Sequence, residues 1–381
     1  MPFSDEHNHF RRVVREFVDQ EINPNVDGWE ADGMMPLHDL FSSMGELGFL
    51  GLEYDEEYGG QGADHLFSVI LSEEFGRAAH GSIGMALGVQ VSMATPSLHR
   101  FGTSDLKHRY LAPALNGEMV AAIAVTEPDA GSDVAAIRTT AKRYGDEWVI
   151  NGSKMFITNS LQADWLCLLV RTSDDTDYQG MSQIIVPMAT PGVEVSRKLD
   201  KLGMRASDTG LVTFTDARVP IDHIIGVEGM GFQQQMAQFV EERMWAAYSS
   251  IGSMERALAL TSEYTKQRNV FGKPLNRNQY LTYRLAELAA EVDLLKHYNY
   301  ACAAAFVRGE DTTRFATIAK YKSGRLTRQV ADWCLQLHGG IGYMEETWTS
   351  RYLRDSRLGG IGGGADEVML NVLSRLDGFA G

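Results

Sequence analysis

The heptapeptide FVEERMW, residues 239–245, sets two adjacent carboxylates directly before an arginine. A carboxylate among apolar side chains can act as a general base, because burial raises its pKa. On a helix, Glu241 and Glu242 point about 100° apart, so they cannot face one site equally. Read alone, either one is also an ordinary solvated helix charge. Near the end of the chain stands GGIGGGADEVM, residues 359–369. Glycines so dense leave backbone that something can approach closely. Its carboxylates come late, at Asp366 and Glu367, and Asp366 is expected to cap the last helix.

Three other stretches could hold a ligand. AVTEPDAGSDVAA, residues 124–136, offers the Thr126 and Ser132 hydroxyls and the bare amide of Gly131. It suits a flat polar ring or a phosphate, or is an ordinary Pro-Gly-Ser turn. QLHGGIGYMEETWTSRYLRD, residues 336–355, places Gly339, Gly340 and Gly342 before an arginine-rich segment. It reads equally as a helix C-cap or as a phosphate approach. KQRNVFGKPLNRNQ, residues 266–279, is a basic island carrying Arg268, Lys273 and Arg277. It suits a pyrophosphate or is a solvated loop.

Composition narrows the classes. A formal net charge of −15 argues against nucleic-acid binding, and would repel an anionic substrate except at such a basic island. Cys167, Cys302 and Cys334 lack metal-ligand spacing and read as buried apolar residues in a reducing compartment. No run is apolar enough to span a bilayer. The N-terminus lacks the core of a signal peptide. A cytoplasmic, bacterial-type protein is expected, although a chain trimmed of a targeting peptide would read the same.

The elements that must position these residues follow from periodicity. FRRVVREFVDQEI, the stretch from His38 to Phe49, LFSVILSEEFGRAA and GMALGVQVSMATPSLHRFG read as helices. TTAKRYGDEWVINGSKMFITN alternates, with hairpin signals at Gly145-Asp146 and at Asn151-Gly152. Short strands follow to Pro220. From Gly231 the helical period returns in three long segments and a shorter fourth, as in an antiparallel bundle. The expected fold is α+β and multidomain: a helical domain at 1–120, a β-barrel domain at 121–225 and a four-helix bundle at 226–381. The 381 residues suit such a division.

In this order, AVTEPDAGSD, KLGMRASDTGLVTFTDARVP (residues 201–220) and QLHGGIGY–EE–R–D resemble the acyl-CoA dehydrogenase flavoprotein family over nearly the whole chain. The resemblance implies FAD, an acyl-CoA thioester, a homotetramer and electron-transfer flavoprotein as electron acceptor. It assigns Ile123, Val125, Thr126, Gly131 and Ser132 to the flavin. Phe156 stands where the family stacks an aromatic on the ring, followed by Thr158. Arg268, Phe271, Gln279, Gln336, Gly339 and Gly340 would meet FAD across a subunit interface. Ala365 and Glu367 also match flavin-contact positions. Ser132, Phe232, Arg243 and Gly364 match substrate positions, with Phe232 and Arg243 along the coenzyme A path.

The family's reaction takes the α proton of the thioester on a carboxylate while the β hydrogen leaves as hydride to flavin N5. Many members carry that glutamate where this chain has Gly363. Others, resembling isovaleryl-CoA and long-chain acyl-CoA dehydrogenases, carry it on a bundle helix directly before an arginine, as Glu242 precedes Arg243. Glu242 is therefore the expected base, ahead of Glu241, and Gly363 the expected backbone donor to the thioester oxygen. Gly362 and Gly363 would leave room for a branched or bulky acyl group, as in citronellyl-CoA dehydrogenases. An acyl-CoA oxidase, an enoyl-CoA reductase and a flavin-binding paralogue without catalysis are the alternative functions.

Overall fold

Ser4 opens the first helix with a capping box. Its hydroxyl accepts from the His7 amide at 3.2 Å and its own amide donates to the His7 ring at 3.2 Å. The computed structural model describes residues 3–173 and 178–380. The N-terminal helices are α1 (Asp5–Phe17), α2 (Val26–Asp32), α3 (Leu37–Glu46), α4 (His65–Gly76), α5 (Ser82–Gly88), α6 (Pro96–Phe101), α7 (Ser104–Leu106) and α8 (Ala112–Leu115). The three-four spacing of α1 puts Val14 and Phe17 into one core with Phe41, Phe49 and Phe75. GMALGVQVSMATPSLHRFG is not one helix. A π-helical turn at Val89–Ala94 separates α5 from α6, where Pro96 enters at a first-turn position that needs no amide donor.

The middle of the chain forms β1 (Ala121–Ala124), β2 (Thr140–Tyr144), β3 (Glu147–Thr158), β4 (Trp165–Arg171), β5 (Met181–Pro187), β6 (Val193–Lys198) and β7 (Thr209–Pro220). They make one curled, barrel-like sheet in the order β1-β4-β2-β3-β7-β6, with β5 also paired to β4. The β2–β3 hairpin turns at Gly145-Asp146, Tyr144 pairing with Glu147. Asn151-Gly152 is not a turn, which corrects the second hairpin signal. It lies inside β3 at a bulge against β7, where Gly152 has φ +143° and Asn151 bonds Asp216 instead of reversing the chain.

Then come α9 (Gly231–Gln267), a small hairpin of β8 (Asn269–Val270) and β9 (Lys273–Pro274), α10 (Gln279–Val307), α11 (Thr313–His338), α12 (Trp348–Ser356) and α13 (Asp366–Leu376). Helix α9 packs on α4, α5 and α6, on β4 and β5, and on α10 and α11. It thus joins the N-terminal helices, the sheet and the bundle, and any residue on its buried faces stands where they meet.

Candidate active site

Helix α9 begins flush against the sheet. A Cβ at Gly231 would lie 2.5 Å from the Ser182 backbone of β5. From that contact a buried polar stripe runs up the helix through Gln235, Gln238 and Glu242. Their three- and four-residue spacing keeps them on one face. Glu242 is only 7 % exposed. Burial pushes its carboxyl up to about 8, against the pull of the Gln238 amide and the Arg243 charge. Burial thus disfavours its charged form, and it is the ionised fraction that can accept a proton. The Gln235 amide donates to its Oε1 at 3.5 Å. The Gln238 amide donates to Met93 O and accepts from Ser97 Oγ at 2.6 Å.

Glu241 points elsewhere. It pairs with Arg100 and lines a cavity of about 240 Å³ with Glu53, His65 and Tyr248. Arg243 turns its guanidinium toward α11 and donates to Thr317 Oγ1 at 3.2 Å. Phe232, on the first turn of α9, packs with Val125, Ala130 and Met181, and meets the Tyr178 ring at 4.5 Å.

The loop after β1 and a kink in β3 form a second wall. Met155 N donates to Thr126 O at 2.8 Å. The β3–β7 register slips between Lys154 and Ile157, which frees Phe156 from the ladder. Phe156 sits at φ +63° and is 62 % exposed. A bulky residue held there costs about 1–2 kcal/mol, and the exposed ring beside Thr126 offers a face for a flat aromatic ligand. Gly131 is open, with nothing within 4 Å of a built Cβ, and Ser132 is exposed beside it. Ile123 and Val125 pack beneath the loop. Thr158 pairs with Thr209 at the far end of β3. These residues fit an isoalloxazine ring.

The support beneath this wall was not assigned from the sequence. Lys154 is fully buried, its Nζ donating to Glu127 Oε1 and to Val125 O, both at 2.8 Å. Glu127 also accepts from the Arg138 and Thr139 amides at 2.6 and 2.9 Å. Burial would raise its pKa, but the ammonium and these bonds hold it below the usual carboxylate range. A lysine at an inward position of an alternating strand is the signal that could have found the pair.

The C-terminal glycines form a loop between α12 and α13, against α11. Gly363 sits at φ +61° with nothing within 4 Å of a built Cβ, and Gly364 at φ +97°. Lys320 of α11, almost wholly buried, donates to Gly364 O and fixes the loop. The cap of α13 is Ala365, not Asp366. Asp366 is the first helical residue and takes Arg328 at 2.5 Å, which corrects the expected capping role. Glu367 is exposed on the same turn. The loop and Glu242 are linked through α11, which carries both Lys320 and the Thr317 that holds Arg243.

The remaining candidates are not brought to this wall within one chain. Arg268, Phe271 and Gln279 lie around the β8–β9 hairpin, which packs on α9 through β9. All three are exposed, Phe271 completely so at φ +51°. Gln336, Gly339 and Gly340, at the end of α11, are exposed too.

Comparison with known proteins places this geometry. Residues 4–118, 122–217 and 229–376 match the N-terminal, middle and C-terminal domains of acyl-CoA dehydrogenase. A probable acyl-CoA dehydrogenase YngJ of Bacillus subtilis is 34% identical over 366 residues, 96% of each chain. A crystal structure of a probable acyl-CoA dehydrogenase from Mycobacterium abscessus is 38% identical, with TM-score 0.94 over 98% of this chain and 99% of that one. A glutaryl-CoA dehydrogenase from Mycobacterium smegmatis, solved in complex with FADH2, is 27% identical, with TM-score 0.92 over 99% and 95%. With three domains matched in order and the fold shared along its length, this chain belongs to the acyl-CoA dehydrogenase family of flavoprotein oxidoreductases.

Proposed function

We propose that the protein desaturates an acyl-CoA thioester at its α and β carbons, with Glu242 as the base. The observation that carries this is a buried glutamate of raised pKa on α9, facing the sheet, in a chain with glycine at position 363. FAD, when bound against Thr126, Ser132 and Phe156, supplies the two-electron acceptor for the β hydride. Glu242 takes the α proton, and the Gly363 amide donates to the thioester oxygen as charge builds there. Both C–H bonds break and a trans-2 double bond forms. Burial keeps water from Glu242, so its carboxylate is a stronger base than an exposed one.

The substrate is a medium to long or branched acyl group, for which the open backbone at Gly363 leaves space. Electrons pass to electron-transfer flavoprotein. The protein assembles as a homotetramer, in which Arg268, Phe271, Gln279, Gln336, Gly339 and Gly340 of one chain complete the FAD site of another. Anaerobic mixing with acyl-CoAs from butyryl to palmitoyl, isovaleryl and citronellyl tests the reading. Flavin bleaching by one class, lost in Glu242→Gln, is expected. No bleaching by any, with FAD bound, would sink it; rapid oxygen uptake would instead identify an oxidase.

A further inference from the structure

The stripe on α9 does more than bury a base. Gln235 lies one turn after Gly231, whose missing side chain lets the helix touch β5. At that contact Gln183 of β5, fully buried, donates its Nε2 to Gln235 Oε1 at 3.0 Å. This fixes the Gln235 amide with its N–H toward Glu242, 3.5 Å from Oε1. The Gln183 backbone is pinned as well, its carbonyl accepting from Ile225 N at 2.8 Å. Gln183 Oε1 is buried without a partner. Packing alone would favour apolar residues here, since an unpartnered buried amide oxygen is destabilising. The Gln238 amide also draws the Glu242 carboxyl down, but it is held by Met93 O and Ser97 of the N-terminal helices and not by the sheet.

We propose that Gln235, locked by Gln183, is a positioning residue that donates to the Glu242 carboxylate, holds its rotamer and favours its ionised form. The proposal rests on Glu242 being the base. It makes the sheet that cradles the flavin also set the base on the helix. Other groups around the carboxylate are Glu241, paired with Arg100, and Arg243, bonded to Thr317. The Cys167 thiol of β4 is pushed up to about 12 by its own burial and by the Glu242 charge. It stays neutral in the working range, so it does not supply the missing charge balance.

The test is the pH dependence of kcat/KM in the flavin-loaded enzyme, with Gln235→Leu, Gln183→Leu, the double variant and Glu242→Gln. Rates are normalised to flavin absorbance. The base works only when ionised, and losing a donor to the ionised form raises its pKa. The acid limb of Gln235→Leu is therefore expected to move up by about one pH unit, a roughly tenfold loss below the limb that is recovered above it. Gln183→Leu should move it the same way, and the double variant no further than Gln235→Leu. A purely structural role would lower stability and leave the limb in place, so an unmoved limb in both single variants overturns the proposal. If Gln235→Leu fails to hold FAD, Gln183→Leu alone decides by the same criterion. Full activity in Glu242→Gln would overturn the base assignment itself, independently of where the limbs fall.

Discussion

At the scale of single residues, Glu241 and Glu242 show how neighbours would select one carboxylate over another as a base. Glu241 is paired with Arg100, whereas Glu242 is buried with the Gln235 amide donating to it. Glu242→Gln should lower kcat by roughly 10²–10⁴-fold while FAD stays bound, and Glu241→Gln should leave turnover largely intact; steady-state assays on both check this. Stability offers a second reading of the same carboxyl. Unfolded, it titrates near 4.3; folded, near 8. Between those values the unfolded chain gives up a proton that the folded chain keeps, so this group lowers stability as pH rises. Glu242→Gln removes that dependence. Its melting temperature should exceed the parent's by a margin that widens from about pH 5 to about pH 8. A constant margin in thermal melts would mean that Glu242 is ionised in the fold.

At the scale of elements, two contacts hold the walls together. Gly231→Ala puts a methyl group into the Ser182 backbone. We expect a loss of about 1–3 kcal/mol, read by denaturant unfolding, and a fall in kcat, because α9 must back away from β5. The Lys154–Glu127 pair anchors the loop beside Phe156. Lys154→Met strands a buried carboxylate and should cost about 3–5 kcal/mol, with weaker flavin retention. Adding Glu127→Gln should restore part of that loss, and a double-mutant cycle on FAD affinity and unfolding measures the coupling.

At the scale of the whole molecule, the exposed apolar residues are informative. Phe271, Tyr280, Tyr283, Ile341 and Tyr343 stand in or near the segments carrying Arg268, Gln279, Gly339 and Gly340. A neighbouring subunit would cover them. Phe271→Ala and Arg268→Gln should therefore weaken FAD binding, and dilution below the assembly limit should release flavin from the parent enzyme. Sedimentation with simultaneous flavin absorbance follows both, and flavin held tightly by a monomer would contradict the shared site. Among the described residues, no helix is long and apolar enough to cross a membrane.

Much of this was legible in the sequence, because periodicity and side-chain type are local. The helical–β–helical order, the long helices from Gly231 onward and the glycine gap at 359–364 need no knowledge of what packs against them, whereas Phe156 was picked out only by the family resemblance. Asn151-Gly152 misled because the same pair suits a turn or a bulge, and only the partner strand β7 decides between them. Asp366 misled because a cap is set by the residue just outside the helix, and Arg328 draws its carboxylate away. The Gln183–Gln235 contact was invisible for a deeper reason, and the inward Lys154 gave a signal without naming its partner. Each of these contacts joins residues from different elements, and a glutamine or lysine shows its purpose only when burial removes water and leaves it one partner. Residue types and their order along the chain were enough to point to the family; which carboxylate is buried away from cations, and which is paired with one, depends on residues far apart in sequence and so on how the elements pack.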